Sequence, residues 1–243
     1  MKHYIVVSLG ILFLALFLNC NSTSSNNNNT TTVIDADGNV YHTVTIGTQT
    51  WTVENLKTTK FNDGAAIPNV TDNITWMNLA TPGYCWYNND ATTNKTTYGA
   101  LYNWYAVNTG KLAPAGWHVP TDAEWSTLQN YLIANGYNYD GTTTGNYIAK
   151  AMAAQTNWST YSNVGTIGCN LNTNNRSGFS ALPGGSRGSS GNFFYIGDCG
   201  SWWSATELNA SDAYSRYLYY NSNFLGRYYD YKSCGFSVRL LRN

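Results

Sequence analysis

The sequence predicts an α+β domain: its helix signals gather in the first half of the chain and most of its strand signals in the second. The sharpest helix signal is Thr121-Asp122-Ala123-Glu124, a Thr-x-x-Glu capping box in which each side chain satisfies the other's free backbone N–H. The sharpest strand signal is a pair of Tyr-rich runs, 214–220 and 224–231, which read as a hairpin turning at Asn221-Ser222-Asn223.

Each element follows from local pattern. Asp37-Gly38 is a turn; as an EF-hand it would need Gly and Glu where Val40 and Ile46 stand. Apolar residues at 40, 44 and 46 predict a half-buried strand, Gly47-Thr48 a turn, and 49–53 a returning strand. Leu101, Trp104 and Tyr105, at spacings of three and four, predict a short buried helix within 98–107. After the capping box, Trp125, Leu128 and Leu132 share one helical face and Gly136 supplies the stop. A third helical segment is expected within 147–154. Beyond Ser177, 179–182 is a short apolar run, 183–188 a glycine-rich loop, and 202–206 a strand. Alternation of Phe236, Val238 and Leu240 predicts a closing strand, and there is no internal repeat.

The first twenty residues predict export. Lys2 and His3 precede an apolar run over 4–18, shorter than the roughly 20 residues that span a bilayer, as in a signal-peptide core. The run ends in Phe17-Leu18-Asn19-Cys20, which resembles the lipobox of bacterial lipoproteins, with Asn19 where Gly, Ala or Ser is usual. The resemblance implies a lipid on Cys20, anchorage to a membrane, and a place in the cell envelope, at the outer membrane, periplasmic or surface-exposed. Residues 21–32 are only Asn, Ser and Thr, which offer no apolar group to offset ordering entropy; they form a flexible tether spanning on the order of 20 Å. Residues 33–243 suit one globular domain.

Charged residues are 11% of the chain against about 25% in an average soluble protein, and 13 basic residues balance 13 acidic ones. Without a basic patch, nucleic acid is not an expected partner. Cys85, Cys169, Cys199 and Cys234 predict one or two structural disulfides, in any of three pairings, in an oxidising envelope. None of them belongs to a C-x-x-C or Cys/His cluster, so no metal and no cofactor is expected.

Several motifs occur in a telling order: Asp37-Gly38-Asn39-Val40-Tyr41, Ile46-Gly47-Thr48-Gln49-Thr50-Trp51, Glu54-Asn55-Leu56, Gly116-Trp117-His118-Val119-Pro120-Thr121, Trp203-Ser204-Ala205-Thr206-Glu207 and Gly235-Phe236-Ser237-Val238-Arg239. They resemble the Fibrobacter succinogenes major paralogous domain, whose members are typically envelope lipoproteins or secreted modules of unassigned function. More distantly, Val119 to Trp125, then Gly184-Gly185-Ser186, then Gly235-Phe236 resemble formylglycine-generating, sulfatase-modifying enzymes. That likeness implies a C-type-lectin-like fold with mixed sheets, a few short helices and long loops. The two redox cysteines of those enzymes fall here on Ser189 and Phe194, so the resemblance carries the fold and not the oxidation. The calcium motifs of sugar-binding lectins are also missing.

Two functions follow. The first is a non-catalytic binding module for a carbohydrate or a surface protein, using Tyr195, Trp202, Arg227, Tyr228, Tyr229 and Tyr231, because Tyr, Trp and Arg dominate binding hot spots. The competing reading makes Trp202 and Trp203 core residues and the tyrosines a sheet covering. The second function is an envelope enzyme of unknown reaction around His118, which with His42 is all the histidine left after export. Glu124 is occupied by its capping box, which weakens a glycosidase-like carboxylate pair involving it. The export reading is checked by Cys20→Ala: the wild type takes up labelled fatty acid and fractionates with membranes, and the variant does neither.

Overall fold

The computed structural model of the protein describes Met1 and residues 32–243, so the signal segment, Cys20 and the tether up to Thr31 lie outside the described residues. The described chain is α+β. β1 (Val33–Ile34) pairs antiparallel with β2 (Val40–Tyr41) around the Asp37-Gly38 turn, where Gly38 adopts φ +81°. Asp35 accepts the N–H groups of Asp37 and Asn39, each at 2.9 Å, and the Tyr41 hydroxyl at 2.5 Å. That pull buries Tyr41 and leaves Val40 exposed, so the strand expected to run from 40 to 46 breaks at His42. β3 (Thr43–Ile46) and β4 (Gln49–Thr52) then form the expected hairpin.

Next come α1 (Asn73–Met77), β5 (Tyr84–Cys85), α2 (Ala91–Tyr98), β6 (Leu101–Tyr102) and α3 (Trp104–Val107). The helix expected within 98–107 is shorter, because Leu101 and Tyr102 pair with Cys85 and Tyr84 as a strand. Asn103 caps what remains by accepting the Ala106 N–H at 3.1 Å. After β7 (Trp117–His118), α4 (Asp122–Ala134) begins at the Thr121/Glu124 capping box as expected, with Trp125, Leu128 and Leu132 fully buried. α5 (Ala149–Met152) lies inside the expected 147–154.

The second half builds a five-stranded sheet from β8 (Gly184–Arg187), β9 (Phe193–Ile196), β10 (Cys199–Glu207), β11 (Asp212–Tyr219) and β12 (Gly226–Tyr231), in the order β12-β11-β10-β8-β9. β11 and β12 are the expected hairpin, with Arg216 opposite Arg227. β8 corrects the expected loop. A Cβ at Gly185 would lie 2.6 Å from both the Phe194 carbonyl and the Tyr87 ring, so glycine admits a strand where any other residue collides. The closing strand is also shorter than expected. Only β13 (Leu241–Arg242) pairs regularly, between β4 and β7, although every residue from 234 to 241 is buried. Gly235, Phe236 and Ser237 instead form single bridges to Arg187, Tyr102 and Trp202, three different parts of the fold.

Aromatic side chains dominate the interior. Trp51, Trp125, Trp202 and Phe179 pack beneath α4, with Trp51 and Trp125 ring centres 4.8 Å apart, while Trp203 and Phe236 meet at 4.5 Å in the neighbouring cluster. Burying each such side chain contributes about 1.5–3 kcal/mol or more. The expected disulfides do not form: Cys85, Cys169, Cys199 and Cys234 are all free. Three of them are buried, with Cys85 and Cys234 in separate apolar clusters, where they pack as small hydrophobes.

The polar centre is Arg239, fully buried and, among the described residues, bonded to no carboxylate. Its guanidinium donates to Asn55 Oδ1 at 2.7 Å and to the carbonyls of Thr52, Phe179 and Ser180 at 2.8, 3.0 and 3.1 Å. Burial pulls its pKa down to about 9, which leaves it charged at neutral pH. Asn55 Oδ1 also accepts from Trp202 Nε1 at 2.9 Å, and its Nδ2 donates to the Tyr98 carbonyl at 2.8 Å. Asn55→Leu keeps the branched outline of the side chain and strands three of these groups at about 1–3 kcal/mol each. Its urea midpoint should therefore fall by the equivalent of at least about 3 kcal/mol with an unchanged m-value; an unshifted midpoint refutes the assignment.

Candidate functional site

Strand alternation sorts the large sheet into two faces. One face carries Trp202 of β10 and Arg216 and Leu218 of β11, all buried, and α4 packs here. Asp122, at the start of α4, accepts from Arg216 Nη1 at 2.5 Å and from Arg227 Nη2 at 3.0 Å. The other face aligns Cys199 with Tyr219, Ser201 with Tyr217, and Ser215 with Tyr228. These residues line a cavity of about 290 Å³. Tyr195 and Ser186 close it from β9 and β8, and Cys234 and Phe236 close it from the C-terminal segment. The volume sits at the small end of ligand pockets, about 300–1,000 Å³, and suits one ring or one head group.

Backbone geometry sets the tyrosines. Tyr217 stands opposite Gly226, and a Cβ there would lie 2.2 Å from its ring; the glycine lets the ring lie across the edge strand. Tyr195 has φ +66°, a left-handed conformation costing about 1–2 kcal/mol in a bulky residue. The turn holds it there through the Asp198 N–H, which donates to the Tyr195 carbonyl at 3.0 Å. The Tyr195 ring meets Tyr219 edge-on, with centres 5.7 Å apart and planes at 65°. Tyr228, half exposed, stacks on Tyr229 at 4.9 Å.

Asp230 is the one carboxylate on the cavity wall, and among the described residues no Lys, Arg or His lines it. Burial raises the Asp230 pKa, offset in part by Ser215, whose hydroxyl donates to it at 2.7 Å. Burial also pushes the Cys199 thiol up to about 11, the Cys234 thiol to about 12 and the Tyr219 hydroxyl to about 12. At neutral pH the thiols are therefore protonated and poorly nucleophilic. Among the described residues, no group of three or more His, Cys, Asp or Glu could hold a metal ion.

Of the six expected binding residues, Tyr195 and Tyr228 line the cavity. Trp202 does not: it is 1% exposed, faces α4 and spends its N–H on Asn55. Arg227 is half exposed, but its guanidinium grips Asp122 and stacks 4.1 Å over Tyr214, on the helix side. Tyr229 and Tyr231 are exposed and fall on the opposite alternation row, with Tyr229 reaching the cavity rim through Tyr228. Tyr217, Tyr219 and Asp230 were missed, although period-two alternation through 215, 217 and 219 was the signal that places them together.

His118 sits elsewhere. Its Nε2 lies 2.9 and 3.0 Å from the two Glu124 carboxylate oxygens, and its Nδ1 lies 2.6 Å from Asn243 Oδ1. Both ring nitrogens are engaged, and the ring ties the C-terminus to the start of α4. Burial pushes Glu124 up, but the Thr121 N–H and His118 outweigh it and hold the carboxyl below its ordinary value.

If Gly226 seats Tyr217, Gly226→Ala must displace that ring. Overpacking of this kind costs about 1–3 kcal/mol, so the melting temperature should drop by several degrees and the Tyr217 ring resonances should shift. An alanine variant as stable as the wild type, with those resonances unmoved, refutes the packing argument.

Comparison with curated proteins and with solved structures finds no match. Residues 44–242 match the family model described as the Fibrobacter succinogenes major domain. The match runs from the β3–β4 hairpin to β13 and takes in the whole five-stranded sheet with its cavity, so the chain belongs to the Fibrobacter succinogenes major domain family.

Proposed function

We propose that this chain is an exported cell-envelope protein, lipid-anchored at Cys20 and raised from the membrane on the 21–32 tether, whose domain over 33–243 binds a ligand without transforming it. The observation that carries the binding reading is the tyrosine-walled cavity beneath Tyr195. Aromatic rings give a binding site large contact area at low cost in conformational entropy, and strained residues such as Tyr195 cluster at ligand clamps. The protonated thiols and the doubly engaged His118 favour recognition over chemistry. Mixed sheets joined by long loops, with the motif order noted above, support a C-type-lectin-like arrangement for the domain. The ligand class is a carbohydrate or a segment of a surface protein.

A screen of envelope glycans and polymers against the protein tests this. Tyr228→Ala and Tyr219→Ala should each weaken the captured ligand about tenfold or more, as expected of hot-spot aromatics, with an unchanged melting temperature. Tyr231→Ala should bind normally. Full binding by both cavity variants, with the contact mapped to the His118 face, overturns the proposal.

A further inference from the structure

The cavity holds an unusual combination. Tyr195, Tyr217, Tyr219 and Tyr228 come from three strands, and Tyr195 and Tyr219 meet at 65°, so they form an angled corner and not a flat platform. Beside them lies Asp230, mostly shielded from water, whose carboxylate is bonded among the described residues by the Ser215 hydroxyl. Among the described residues no cation pairs with it. The two cationic residues flanking it on β12 and just beyond are already committed: Arg227 grips Asp122, and Lys232 pairs with Glu207. A shielded carboxylate without a counter-ion is costly, and Asp212 adds further negative charge nearby.

We propose that this cavity recognises an alkylated ammonium group, such as a choline-type trimethylammonium head, seated against the tyrosine faces with Asp230 as its counter-charge. The inference rests on the binding reading above and names its ligand chemistry. Tyrosine faces carry negative quadrupole charge and attract cations, most strongly where water is excluded. An alkylated ammonium has few or no N–H groups to satisfy, so it loses little when ring faces replace water. A primary ammonium brings three donors, and donors that met only ring faces would be left unpaired. An anionic head would meet Asp230 with no basic group to offset it. A neutral sugar would leave Asp230 without its counter-charge.

The test compares two small probes of nearly the same shape on the wild-type protein: choline, and 3,3-dimethylbutan-1-ol, which carries carbon in place of the charged nitrogen. Titration followed by NMR of the tyrosine rings should show choline shifting the Tyr195, Tyr217, Tyr219 and Tyr228 signals, with the alcohol at least tenfold weaker. Asp230→Asn should weaken choline at least tenfold and leave the alcohol unchanged; Ser215 can still donate to the amide, so the fold is preserved. Tyr219→Phe, which keeps the ring face, should retain choline, and Tyr219→Leu should lose it. Equal binding of the two probes, or an Asp230→Asn variant that binds choline normally, overturns cation recognition while leaving the cavity a binding site. Failure of choline together with Tyr228-dependent binding of a neutral methyl glycoside also overturns it and upholds the broader reading. No ring shifts with choline, the alcohol or the glycoside, and a screened ligand that maps elsewhere, overturn both.

Discussion

The fold depends on a cation buried among neutral oxygens. Among the described residues no carboxylate bonds to Arg239; its N–H groups are shared among the Thr52, Phe179 and Ser180 carbonyls and the Asn55 amide. Those acceptors lie on β4, on the turn preceding β8, and on the segment between β4 and α1. A guanidinium presents its donors in a fixed plane, so it can hold two distant segments, 52–55 and 179–180, in one orientation, which a lysine could not. Asn55 extends the network to the end of α2 and to Trp202 in β10. Once Trp202 is bound on that side, alternation sends Cys199 and Ser201 to the opposite face. The cavity is thus a consequence of where one arginine is anchored.

A second ionic contact seals the helix side of the sheet. Arg216 is fully buried and shares Asp122 with Arg227; Asp122 and Ser126 accept from its two Nη groups, while its buried Nε is left without a partner among the described residues. Asp122 also stands in the first turn of α4, where negative charge is favoured by the free N–H groups. Charge, capping and apolar packing therefore agree in pressing α4 onto one face. The other face is left to tyrosines, small hydroxyls and thiols, whose varied sizes do not fill the space beneath β9.

The cavity wall also carries thiols. Cys199 and Cys234 both reach the cavity, yet burial keeps both protonated at neutral pH. They resemble the buried Cys85 in acting as compact apolar side chains. What distinguishes the cavity electrostatically is Asp230, a carboxylate whose two flanking cations, Arg227 and Lys232, are drawn to other partners.

Much of this was written locally in the sequence. The capped helix at Thr121, the Asp37-Gly38 turn, the β11–β12 hairpin and the family motifs rest on interactions between near neighbours, which short patterns encode. Tyr195 and Tyr228 were legible as binding candidates from residue type alone. The remainder depended on contacts between distant segments. The Leu101 strand and the broken closing segment are set by partners 16 or more residues away, and the β8 strand at Gly184-Gly185 by pairing with β9 and by the room its glycine leaves for the Tyr87 ring. Trp202 and Arg227 looked like surface anchors because sequence shows residue type and not direction. Their inward commitments to Asn55 and Asp122 span 147 and 105 residues. The free cysteines follow the same rule. Count and compartment favoured disulfides, but only the packed chain decides which sulfurs meet: packing set Cys85 apart from Cys234, and Cys199 and Cys234, though they line one cavity, remain free thiols.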